Sequence, residues 1–153
     1  MVNDNADEED GYRFHDAVHI AFMAVVGWSP VMRALLRLKR KYDPVVDRNQ
    51  DGSRARDLEE ALSALLMSMS HARNHYASDN DVDGETRDII RRVIGGLEAR
   101  DVPIWLWASA IRQGFATMHA LQANGGGWVT ANLDTRTVTF HSEDPNLPAS
   151  RDN

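Results

Sequence analysis

Four acids and two histidines stand at spacings that can gather ligands. In His15-Asp16-x-x-His19, residues Asp16 and His19 are three apart and His15 and His19 four apart, so a helix brings them to one face. Further on, Asp57, Glu59 and Glu60 form a second group, with Asp57 and Glu60 again three apart. Mg²⁺ favours carboxylate oxygen and water, and carboxylates drawn from two helices make a sensible site for a nucleoside triphosphate. The histidines suit Mg²⁺ less well. The competing reading is a satisfied interior histidine, with the later acids merely complementing a helix dipole.

Three further patterns could carry chemistry. Residues Asp47 to Gly52 (DRNQDG) match the opening of a calcium loop, but its twelfth position is Leu58 rather than a bidentate glutamate, so a turn leading into the next helix is the better reading. His71-x-x-x-His75 places two imidazoles on one helical face without an obvious third ligand. Positive charge near a helix C-terminus favours a structural role for that pair. The stretch RALLRLKRKY concentrates Arg33, Arg37, Lys39, Arg40 and Lys41. Arg offers forked donors and Lys a mobile charge, so Arg37, Arg40 and Lys41 are candidate phosphate ligands, against the alternative of a solvated face.

These residues belong to a chain of 153 residues that is 42% hydrophobic, enough for one buried core. A net charge of -6 and a pI near 5.4 argue against a whole-surface grip on nucleic acid or anionic membrane. With no cysteine, disulfides and thiolate chemistry are excluded, and His, Asp and Glu are the strong metal ligands available. The N-terminus lacks a basic start followed by an apolar run, and no stretch approaches the roughly 20 apolar residues that span a bilayer. A cytoplasmic location is the expectation.

The elements that must position the ligands follow from periodicity. An acidic tail over residues 1–11 precedes a domain over 12–141, and a polar tail covers 142–153. Phe14, Val18, Phe22 and Val25 predict a first helix over Tyr12–Val26, closed by Gly27. Ser29-Pro30 begins a second, running to about Lys41. Turn chemistry makes 43–52 a loop. A third helix is expected over Arg54–Tyr76, a fourth over Glu85–Leu97, and a fifth from about Pro103 to the glycines at 125–127. WVTANL and TVTF around Asp134-Thr135-Arg136 predict a β-hairpin at about 128–141. The fold class is all-α, a bundle of about five helices with a small C-terminal hairpin, with association through a helical face into a homo-oligomer.

The segments YRFHDAVHIAFMAVVGWSPVMRALLRLKRKYDPVVD, DGSRARDLEEALSALL, IRQGF and GGGWVTANLDTRTVTF resemble the MazG-like nucleotide pyrophosphohydrolases. The likeness is closest to the region that follows the catalytic domain in some bacterial members. The resemblance implies an all-α, oligomeric protein that cleaves nucleoside triphosphates to monophosphate and pyrophosphate with Mg²⁺. The family's Glu-x-x-Glu falls on Asp16-x-x-His19, and its Glu-x-x-Asp on Glu60-x-x-Ser63. Two of the four expected anionic ligands are thus replaced, by imidazole and by hydroxyl. The resemblance then implies a metal held by Asp16, His19, Glu60 and His15, with Glu59, Glu60 or Asp57 in the catalytic part and Mn²⁺ as the alternative ion. A catalytically inactive domain that binds nucleotide or a protein partner is the alternative function. Direct nucleic-acid binding is the weaker third.

Overall fold

The computed structural model describes residues 14–147; the acidic tail expected over 1–11 and the last residues of the polar tail lie outside the described residues. Helix α1 spans Asp16–Ala21 and passes without a break into a π-helical turn, Phe22–Val26. Gly27 closes this turn in the left-handed conformation, as its lack of a side chain allows. Helix α2 is Pro30–Leu35, α3 Pro44–Asp51, α4 Ser53–Ser70, α5 Gly84–Ile94 and α6 Ile104–Asn124. Strands β1 (Trp128–Asn132) and β2 (Thr137–His141) pair antiparallel, with Trp128 opposite His141 and Asn132 opposite Thr137. The architecture is the expected helical bundle with its C-terminal hairpin.

Helix α6 is the spine. Its Trp107, Ile111, Phe115 and Met118 are buried, and Trp107 packs against Phe22 and Trp28 with ring centroids 5.3 and 5.8 Å apart. Helix α1 lies close against it because Gly114 has no side chain: a Cβ there would stand 3.0 Å from Val18 Cα and 3.1 Å from Ala21 Cβ. That approach fixes the face of α1 that carries His15 and His19. The hairpin packs on the bundle through the partly buried Val129, Val138 and Phe140. Gln113 on α6 clamps it, its side-chain nitrogen donating to Arg136 O at 3.1 Å and its oxygen accepting from Val138 N at 2.9 Å. Arg136 also donates to Val25 O, serving a carbonyl of the π-helical turn.

The fourth helix ends at Ile94 rather than Leu97, where Gly95 and Gly96 interrupt it, and three further boundaries differ from the periodic reading. The second helix stops at Leu35 instead of about Lys41; Arg37 takes a left-handed conformation, and the chain turns so that Arg40 meets Asp51 and Glu98. Leu35, Leu36 and Leu38 stay exposed, so continuing the helix would have buried nothing. The expected loop over 43–52 is helix α3 up to Asp51. Asp43 caps it by accepting from Val46 N at 3.0 Å and Pro44 is its first residue, the same signal that starts α2. The third helix ends at Ser70, not Tyr76: Asn74, His75 and Tyr76 are left-handed, and the turn buries the Tyr76 ring against Phe115, centroids 4.9 Å apart. Tertiary packing overrides helical propensity there.

Candidate metal centre

The two ligand groups meet where α1 faces α4. Ser29, the N-cap of α2, accepts from Met32 N at 3.0 Å and donates its hydroxyl proton to Glu59 Oε1 at 2.6 Å. Val31 N, in the first turn of the same helix, donates to Glu59 Oε2 at 2.9 Å, and His19 Nδ1 donates to Oε1 at 2.7 Å. Glu59 and His19 are both fully buried. A carboxylate removed from water needs donors, and this one receives three from two helices.

With Nδ1 committed to Glu59, the other imidazole nitrogen of His19 points toward Glu60, its Nε2 lying 3.3 Å from Glu60 Oε2. His15 Nε2 stands 3.9 Å from the same oxygen and 3.6 Å from Asp16 Oδ1. The two imidazole rings meet edge to face with centroids 5.4 Å apart. One donor atom from each of His15, His19 and Glu60 lies within 4.8 Å of the others. His19 is fully buried, while Glu60 keeps 44% of its side chain exposed, so the cluster opens to solvent on the α4 side. Burial pushes the His19 imidazole down, but the hydrogen bonds and charges of Glu59 and Glu60 outweigh it and hold the ring up at about 9. The same contact with His19 draws Glu60 below the usual carboxylate range. An ion held by Nε2 would have to displace its proton.

The donor set is two imidazoles and one carboxylate. Such a set suits Mn²⁺ and the later first-row ions better than Mg²⁺, which favours an all-oxygen octahedron. Glu59 would orient His19 for an ion in the manner of a carboxylate–histidine–metal relay.

The remaining predicted residues fall as follows. Asp16 flanks the cluster beside His15, and Asp57 is exposed one turn ahead of Glu60 on α4. Glu59, with its oxygens taken by three donors, is a positioning residue for His19. Arg40 is ion-paired: Nε lies 2.8 Å from Asp51 Oδ2 and a terminal nitrogen 2.9 Å from Glu98 Oε2. Arg33 shares Asp51 at 2.8 Å. Arg37 and Lys41 are exposed. Ser63, at the position of the family's aspartate, is buried with no hydrogen-bond partner among the described residues. Ser29 was not singled out from the sequence as a site residue; its cap signal was plain, its bond across 30 residues to Glu59 was not. The His71–His75 pair lies in the turn after α4, where His75 also stacks edge to face on His119 at 5.4 Å.

A small helical bundle with an imidazole–carboxylate cluster where two helices face each other is the class this chain presents. The family model described as the MazG C-terminal domain matches residues 1–144, and the chain belongs to that family. No curated protein and no solved structure matches it. Among the described residues, no helix is long and apolar enough to cross a membrane.

Proposed function

We propose that this chain is a divergent MazG-like nucleoside triphosphate pyrophosphohydrolase in which His15, His19 and Glu60 hold a divalent ion of the Mn²⁺ type. The observation that carries this reading is the convergence of those three donors within 4.8 Å, one of them oriented by a buried carboxylate. When bound, such an ion would stabilise charge developing on phosphate oxygens as monophosphate and pyrophosphate separate. Glu59 holds the His19 ring, and Asp16 flanks His15. Asp57, exposed and on the Glu60 side of α4, is the carboxylate free to orient an attacking water. Arg37 and Lys41 offer charge to the phosphates, whereas Arg40 is already spent on Asp51 and Glu98. The test is release of monophosphate and pyrophosphate from a panel of nucleoside triphosphates with Mn²⁺ or Mg²⁺. Turnover with Mn²⁺ that disappears in Glu60→Gln is expected; no turnover with either ion rejects the activity.

A second reading, a non-catalytic module for nucleotide binding or protein assembly, is favoured by a specific observation. Leu35, Leu36, Leu38, Tyr42 and Val45 form an exposed apolar run along α2, α3 and their connection, a surface suited to association with another protein or a second copy. A stable complex formed without nucleotide, together with absent turnover, separates this reading from the first.

A further inference from the structure

Toward the start of α4, a cleft of about 620 Å³ opens where α3, the first turns of α4 and the end of α5 meet. That is within the size range of small-molecule sites. Arg48, Arg54 and Arg92 line it with Asn49 and Ser53, over an apolar wall that includes Leu58. Successive residues of a helix turn by roughly 100°, so Leu58 and Glu60 project to widely separated sides of α4. None of His15, His19 and Glu60 lines the cleft, which is therefore distinct from the candidate metal centre.

The cleft gathers three arginines that have no carboxylate partner. Elsewhere Arg33, Arg40, Arg73 and Arg112 are each neutralised by a carboxylate. No ion pair or side-chain hydrogen bond among the described residues engages the guanidinium of Arg48, Arg54 or Arg92. The nearby acids Asp51 and Glu98 are already taken by Arg33 and Arg40. Three unpaired guanidinium groups thus converge on one cavity in a chain of net charge -6.

Placement sharpens the point. Arg48 and Arg92 sit in the last turns of α3 and α5, where positive charge complements the helix dipole. Arg54 is in the first turn of an 18-residue helix, where positive charge is unfavourable; that turn has no acid, and its N-cap, Gly52, supplies no side-chain acceptor. The arrangement is costly without an anion and favourable with one, because guanidinium forks and free helix N–H groups both match phosphate oxygens.

We infer that this cleft is a second site, binding a multiply phosphorylated small molecule through Arg48, Arg54 and Arg92. The inference depends neither on an ion at His15, His19 and Glu60 nor on turnover. The test is calorimetric titration of the full chain with inorganic tripolyphosphate in EDTA, which removes any contribution from the metal centre. Binding is expected, weakened at least tenfold in the Arg54→Gln/Arg92→Gln double variant and unchanged in Lys39→Gln. Amide NMR shifts should concentrate on Ser53 and Arg54 in the wild-type chain. Absence of binding, equal binding by the arginine variant, or loss of binding in the lysine variant would overturn the assignment. Tighter binding of adenosine triphosphate than of tripolyphosphate would support an organic ligand lying on the apolar wall; equal affinities would support the phosphate contacts alone.

Discussion

Two polar networks tie the α2 region to the rest of the bundle, and burial is what separates them. In one, Glu59 gathers His19, Ser29 and the Val31 amide, with both partners of the ion pair fully buried. In the other, Asp51 and Glu98 hold Arg33 and Arg40, whose side chains are each 26% exposed. The geometry is comparable, with donor distances near 2.8 Å in both. The consequences differ. An arginine that keeps about a quarter of its side chain in solvent can trade its partner for water at smaller cost, and Asp51, itself only 6% exposed, keeps a second arginine when one is removed, whereas the fully buried pair leaves a stranded charge. The first network can therefore hold a ligand rigidly in place; the second acts as a strap on a connection that otherwise buries little.

The largest expected effect follows from breaking the buried network. Glu59→Ala strands His19, Ser29 and the Val31 amide, and should cost about 3–5 kcal/mol in denaturant unfolding. A loss below about 1 kcal/mol would show that water enters and satisfies them, contrary to their burial. Arg40→Ala should cost only about 1 kcal/mol, and the cost should shrink as salt is raised. If it matched Glu59→Ala, the contrast between the networks would fail.

A third, exposed carboxylate sharpens the comparison. Asp83 caps α5, accepting from Thr86 N at 2.9 Å; this bond, the Thr86 hydroxyl and then Arg73 hold it down to about 2 from an ordinary 3.8. Because the folded value is depressed, its contribution is present above the unfolded value and is lost as pH falls from about 4 through 2. Asp83→Ala should cost about 1 kcal/mol at neutral pH and flatten the stability profile across that window. An acid limb identical to wild type would remove the cap from the account.

Much of this was legible in the sequence, and the failures have physical causes. The period-3.6 stripes locate α1, α4, α5 and α6, and the β-branched runs locate the hairpin, because each depends on local pattern alone. Helix α3 was missed although Asp43-Pro44 carries the same cap signal as Ser29-Pro30; its turn-forming residues and lack of buried side chains masked it. The early end of α4 is a tertiary effect, set by Tyr76 reaching Phe115. Spacing brought His15, His19 and Glu60 forward as candidates. It could not distinguish Glu59 from Glu60, since adjacent helical residues look equivalent until burial sends one into the core and leaves the other at the rim. Arg40 illustrates the same limit: a basic run does not announce which of its charges already have partners.

The most direct test of the central claim is Mn²⁺ binding followed by electron paramagnetic resonance, in the wild-type chain and in His15→Asn and Glu60→Gln, with circular dichroism confirming the fold. The account predicts one site per chain in the wild type, weakened at least tenfold by either substitution, each of which removes one of three ligands. Wild-type affinity in both folded variants, or no Mn²⁺ binding by the wild-type chain, would contradict it.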